Sequence, residues 1–310
     1  MSLLVIGSVA FDAIDTPFGS TGKIVGGAAS YITLATSLLY NKVGLVAVVG
    51  EDFDFDFVET LKSRSADVSG LQIKQGEKSF FWHGKYHMDM NSRDTLVTEL
   101  NVLGDFDPII PAHLQQPEYV MLGNLSPQVQ MTTLDRLTQK PKLVVLDTMN
   151  FWMDIALDDL KKVLQRVDVL TINDEEARQL SGEYSLVKAA RVIRAMGPKT
   201  LIIKKGEHGA LLFGTSESGN EEIFFCPALP LEEVFDPTGA GDTFAGGFIG
   251  YLASTGKTDF EAMKTAIVYG SAMASFCVEQ FGTNKVASMS KEDLSARVAQ
   301  FKALMSVETL

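Results

Sequence analysis

Cysteine is almost missing from this chain. Cys226 and Cys277 are the only two in 310 residues, which excludes a disulfide framework or a sulfur-rich metal centre and fits a reducing cytoplasm. Positive charge is in deficit as well. Against 39 Asp and Glu stand 27 Lys and Arg, a formal net charge of -12, so long-range electrostatics disfavour nucleic acid and anionic membrane as partners. A small anion remains admissible, because backbone donors can reverse the sign inside one pocket. No uncharged apolar run reaches the roughly 18 residues a membrane span requires. The opening MSLLVIGSVAFDAIDT has no basic stretch ahead of its apolar residues, so it reads as a first strand and not as a signal peptide. A Walker A ending is absent, since no Gly-Lys-Ser/Thr closes a glycine run, and so is an early dinucleotide-binding fingerprint.

What is present is an alternation of apolar strands and helical stretches. LLVIGSVAFD, GLVAVVG, YVMLGNL, LVVLDTM, VDVLTIN, TLIIKKG and GALLFG are short apolar runs ending in glycine or polar residues, the pattern of strands covered on both faces. AASYITLATSLLY, DFDFVETLKSRS and the long stretch after Gly241 read as helices between and after them. With no repeat and no proline-rich linker, residues 1–310 are expected to form one large α/β domain. The segment from about 71 to 103 breaks the rhythm with aromatics, charges and alternating polar residues. It predicts a small inserted β element of antiparallel strands, a lid over a site, with a contribution from about 12–25.

The densest signal is DPTGAGDTFAGG, Asp236 to Gly247. Gly239, Ala240 and Gly241 remove side-chain bulk where the backbone turns into a helix, which leaves amide N–H groups free at its start. Those donors and the positive end of the helix dipole suit an anion, above all a phosphoryl group gathering charge as it moves. Asp242, in the first turn, can either cap the helix or take a proton from a hydroxyl beside that anion.

DPTGAGDTFAGG, together with the paired glycines of GGAASYITLA, resembles the ribokinase-like family of carbohydrate and nucleoside kinases, also called the PfkB family, and the resemblance runs over essentially the whole chain. It implies a three-layer α/β/α sandwich with a small β lid. It further implies an ATP- and magnesium-dependent transfer of the γ-phosphoryl group to a hydroxymethyl group. By that resemblance Asp242 is the base, and the amides of Ala240, Gly241 and Asp242, beside Gly239, form the anion hole. Asn173 and Glu176 in NDEE match a pattern that acts on magnesium through water, and Lys204 with Gly206 borders the nucleotide phosphates. Ser271, Ala274 and Ser275 border the adenine. Asp12, Gly26 and Gly27 receive the acceptor. Tyr31 stands where the family carries Asn; it either stacks on an unusual acceptor or packs internally with its hydroxyl satisfied elsewhere. A potassium ion near the segment leading into GAGD, and a homodimer formed through the lid, belong to the same set of expectations. The acceptor expected first is a small sugar or sugar acid. A nucleoside is the close alternative, because Phe81, Trp82, His83, Lys85, Tyr86, Asp89, Asn91 and Arg93 crowd into the lid segment, and a non-enzymatic metabolite binder is the more distant one.

Overall fold

The computed structural model describes residues 2–216 and 218–306. Its strands are β1 (Leu3–Ile6), β2 (Ala10–Thr16), β3 (Gly19–Ser20), β4 (Ile24–Gly26), β5 (Val43–Gly50), β6 (Ala66–Lys74), β7 (Phe81–Tyr86), β8 (Arg93–Glu99), β9 (Tyr119–Leu122), β10 (Leu143–Asp147), β11 (Val169–Asn173), β12 (Thr200–Lys204), β13 (Ala210–Thr215) and β14 (Glu221–Cys226). Nine of them form the main sheet in the order β14-β13-β12-β11-β10-β9-β1-β5-β6. From β12 to β6 every neighbour is parallel, and the antiparallel pair β13–β14 closes one edge.

Period-two alternation builds two cores. Leu3 and Val5 of β1 point to one face and Leu4 and Ile6 to the other, all essentially inaccessible. Helices Ala28–Leu39, Phe55–Ser63, Ala240–Thr255 and Phe260–Cys277 cover the first face. Leu157–Leu164, Asp174–Ser181 and Leu186–Arg194 lie on the second. The result is a ribokinase-like three-layer α/β/α sandwich. Each Leu, Ile or Val side chain so enclosed contributes about 1.5–3 kcal/mol before conformational entropy is subtracted. Among the described residues no helix is long and apolar enough to cross a membrane.

The glycines after Asp242 set a helix–helix contact that places the site. A Cβ on Gly246 would stand 2.6 Å from the Ile32 carbonyl oxygen, and Thr36 Oγ1 donates to the Gly246 carbonyl at 3.1 Å. Helix Ala240–Thr255 therefore rests directly on helix Ala28–Leu39, and the first turns of both meet beyond the carboxyl ends of the parallel strands, where open α/β sheets bind ligands.

The remaining five strands make a second, smaller sheet, β3-β2-β7-β8 with β4 also on β2. Its makeup differs from the expected lid segment in two ways. Residues 71–74 belong to β6, because that strand continues its parallel pairing with β5 as far as Lys74. The pairing is also not wholly antiparallel, since β7 runs parallel to β2. Asp12 faces Trp82 and Ile14 faces Gly84 across that ladder, while Tyr86 faces Arg93 across β7–β8. Directly opposed residues share a face, so Asp12, Trp82, Tyr86 and Arg93 all lie on the side of the lid turned toward the helix mouth.

Candidate active site

Gly239 adopts φ +76° immediately before helix Ala240–Thr255, a left-handed conformation that only glycine takes without penalty. The chain then enters the helix with no side-chain cap. Among the described residues the amides of Gly241 and Asp242 find no acceptor, so two donors lie together at the positive end of the helix dipole. The Ala240 amide does not join them. It closes a turn on the Pro237 carbonyl at 3.2 Å, which removes it from the anion hole that the resemblance implied.

Asp242 is half-buried and its carboxylate accepts no hydrogen bond from the described residues. Burial pushes its pKa up to about 7; Asp147 and Asp12 add to the rise, and Lys204 and Arg93 oppose it. Asp147, at the end of β10, is the residue sequence reasoning missed. Its Oδ1 accepts from Lys204 Nζ at 3.0 Å and from Thr171 Oγ1 at 3.0 Å. Lys204 leans across the anion turn as well, since a Cβ on Gly241 would stand 3.0 Å from its Nζ. Burial pulls that ammonium's pKa down, but the charges of Asp147, Glu176 and Asp242 outweigh it and keep the group protonated.

On the acceptor side Asp12 is buried and its pKa is driven to about 7, by burial first and by Asp236 to a smaller degree. Its Oδ2 accepts from the Gly27 amide at 3.4 Å and lies where a Cβ on Gly26 would otherwise be. The six-membered ring of the Trp82 indole fills the space above Gly84, and its Nε1 donates to Thr95 Oγ1 at 3.2 Å. Tyr86 and Thr238 join the lid to the anion turn through their hydroxyls, 3.1 Å apart. Arg93 acts electrostatically on both Asp242 and Glu176. Tyr31 is 1% exposed, so it is not open to stack on an acceptor; its ring packs internally while its hydroxyl finds no partner among the described residues.

Two amides without a partner among the described residues, next to the Asp242 carboxyl and under a lid that brings the carboxyl of Asp12, make a basin whose chemistry suits an anionic group and a hydroxyl together. The model of the pfkB family of carbohydrate kinases matches residues 2–289. The chain belongs to that family. It is a kinase, which sets aside the non-enzymatic alternative. A cytidine kinase of Thermococcus kodakarensis is 34% identical over 80% of this chain and 87% of its own length. Among solved structures, the nucleoside kinase of Methanocaldococcus jannaschii superposes with a TM-score of 0.75 at 19% identity, over 97% of this chain and 99% of that one. A putative ribokinase II from E. coli, solved in complex with ATP and magnesium, gives 0.77 at 19% identity over 96% and 99%.

In this pfkB-family kinase the residues expected around the cofactor divide. Asn173 and Glu176 form a reciprocal cap on helix Asp174–Ser181, with Asn173 Oδ1 accepting from the Glu176 amide at 2.7 Å and Glu176 Oε2 from the Asn173 amide at 2.8 Å. Asn173 thus spends its side-chain oxygen on the cap. Among the described residues nothing bonds the second oxygen of Glu176, and burial raises its pKa to about 7, against the pull of Lys204. Asp147 Oδ2 also lies outside the bonds that Thr171 and Lys204 make to Oδ1. Two hard oxygens in one acidic basin fit a hydrated magnesium ion.

Gly206, at φ +54°, lies under Asn91 of the lid tip, 3.2 Å from Oδ1 were it to carry a Cβ. Ser271 sits beside Cys226 at the end of β14, 3.7 Å from its Sγ, and Ala274 stays partly exposed. Ser275 is separated from them by its partners: it donates to the Ala272 carbonyl and accepts from Arg297 Nη1, both at 2.7 Å. Arg297 belongs to the last helix, Lys291–Met305, and its claim on Ser275 removes that hydroxyl from the set expected at the adenine.

Proposed function

We propose that this kinase transfers the γ-phosphoryl group of ATP to the primary hydroxyl of a nucleoside. The observation that carries the reading is the cross-strand pairing of Asp12 with Trp82 on the lid face above the anion turn. A carboxylate accepts from two sugar hydroxyls at once, and a flat, partly exposed indole beside it supplies a stacking surface for the base. The 34% identity to a cytidine kinase supports a pyrimidine as the preferred base.

In the reaction, the acceptor oxygen forms its bond to the γ-phosphorus as the bond from that phosphorus to the β–γ bridging oxygen breaks, and ADP leaves. The acceptor proton passes to Asp242, a base whose pKa near 7 suits neutral pH. The Gly241 and Asp242 amides and the Lys204 ammonium stabilise the moving phosphoryl group, and Arg93 closes over it from the lid. Asp147 and Glu176 would hold magnesium through water, with Asn173 fixing Glu176; bound there, the ion neutralises phosphate charge.

A small sugar or sugar acid is the second reading, favoured by Arg93, whose guanidinium suits a carboxylate. A potassium ion near Asp236, a cytoplasmic location and a homodimer through the exposed β8 edge, where Leu96 and Val97 are 48% and 37% exposed, complete the proposal. The test is ATP turnover on cytidine, uridine, adenosine, inosine, ribose, fructose and 2-keto-3-deoxygluconate, with product mass identified and potassium compared with sodium. A nucleoside 5′-phosphate as the main product is the expected result. Turnover confined to free sugars or sugar acids would reject the nucleoside assignment.

A further inference from the structure

Tyr86 ends β7 at the tip of the lid and is 7% exposed, whereas residues 91–100 of the hairpin arm that follows are all exposed. Its hydrogen-bond partner lies outside the lid: Thr238 Oγ1 donates to Tyr86 Oη at 3.1 Å. Thr238 is itself fixed from behind. Its amide donates to Asp236 Oδ1 at 2.8 Å, and Asp236 Oδ2 accepts from the Gly282 amide at 3.1 Å. With the Ala240 amide on the Pro237 carbonyl and Gly239 at φ +76°, ψ -1°, Thr238 is the first central residue of a type II turn. The Gly241 and Asp242 amides lie just beyond it. The bond between the two hydroxyls therefore ties the lid to the corner of the turn that leads into those donors.

The same lid face carries Asp12 and Trp82. Those two oppose each other across β2–β7, and the Trp82 ring fills the space over Gly84, the position between Trp82 and Tyr86 on their shared face. Whatever holds Tyr86 against Thr238 thus also sets how far Asp12 and Trp82 stand from the two amides, and phosphoryl transfer is sensitive to displacements of that kind. We infer that Tyr86 is a positioning residue, acting through Thr238 to keep the acceptor contacts of the lid in register with the phosphoryl site. Transfer to the acceptor then depends on this bond, while hydrolysis of ATP to ADP and phosphate, in which water takes the acceptor's place, does not. The inference rests on the reading that the acceptor is held under the lid, and it applies to a nucleoside and to a free sugar alike.

The experiment is a cycle of wild type, Tyr86→Phe, Thr238→Val and the double variant, with Thr238→Ser as the conservative control. Each protein is measured for cytidine phosphorylation, for ATP hydrolysis without acceptor, and for hydrogen exchange across β7 and β8 by mass spectrometry. The loss of one hydrogen bond corresponds to roughly 3- to 10-fold, so Tyr86→Phe and Thr238→Val should each lower kcat/KM for cytidine by about that factor. The double variant should fall no further, and Thr238→Ser should stay within about twofold of wild type. Acceptor-free hydrolysis should hold within about twofold throughout, and lid exchange should quicken alike in the two single variants. Losses that multiply in the double variant, or hydrolysis that falls in step with transfer, overturn the inference. If cytidine is not phosphorylated, the nucleoside assignment fails separately and the cycle is read with ribose. Lid exchange that keeps the wild-type rate in both single variants overturns the inference without any acceptor.

Discussion

Lys204 Nζ lies 3.0 Å from Asp147 Oδ1 and reaches the edge of Gly241, so one ammonium links the end of β12, the end of β10 and the mouth of the anion turn. The two side chains are 18% and 8% exposed. At that burial, stranding one partner costs roughly 3–5 kcal/mol. We expect Lys204→Met to lower both the denaturation midpoint and kcat, and Lys204→Met/Asp147→Asn to recover the midpoint while kcat stays low. Recovery of kcat in the double variant would remove Lys204 from the phosphate site.

Asp242→Asn should cut kcat by about 10²–10⁴-fold without loss of fold. The wild-type rate should rise with pH through about 7, where the carboxyl ionises. Stability moves the other way. A carboxyl raised from 3.8 to about 7 in the folded state stabilises the fold fully below pH 3.8, and that contribution is lost as pH climbs through 7. Asn mimics the protonated form, so Asp242→Asn should melt above wild type at pH 8, the gap closing toward pH 4. Thermal scans across that range check the sign.

Trp82→Ala tests the stacking surface. Base–aromatic stacking is worth roughly 1–3 kcal/mol, so KM for the nucleoside should rise about 5- to 150-fold while KM for ATP holds. Free ribose, which has no base, should be used as before. An equal loss on ribose would make the indole a support for the lid and not a contact for the acceptor.

Gly239→Ala meets both a left-handed backbone at φ +76° and the Tyr31 ring at 2.4 Å. Gly256 has nearly the same backbone, φ +71°, with nothing within 4 Å of a Cβ. Gly256→Ala should cost only the conformational strain, about 1–2 kcal/mol. Gly239→Ala should also displace the donors and lower kcat roughly tenfold or more. Similar kcat values for the two variants would mean the turn tolerates displacement.

Much of this was legible in the chain because it is written in local patterns. Apolar runs covered on both faces, and glycines crowding a helix start, impose their geometry on the residues beside them, which is why the sandwich and the Asp242 turn could be read directly. Asp147 could not, because nothing in LVVLDTM marks its carboxylate as the partner of Lys204; only the parallel order of β10, β11 and β12 brings the two together. Trp82 and Asp12 are similar, distant in the chain and joined by a parallel lid ladder where antiparallel pairing was expected. Asn173 and Glu176 carry an ambiguity of chemistry, since one spacing serves both a helix cap and a metal shell. Ser275 shares helical spacing with Ser271 and Ala274, but Arg297 arrives from the far end of the chain and takes its hydroxyl.

The absence of any side chain between Gly246 and the backbone at Ile32 has a mechanical consequence. Helix Ala240–Thr255, with Asp242 in its first turn, and helix Ala28–Leu39, behind the paired glycines, are seated as one block, so the spacing between the Asp242 turn and those glycines is fixed at folding. Widening that seam with Gly246→Val should misalign the two reactants without touching either pocket, slowing turnover while both substrates still dock.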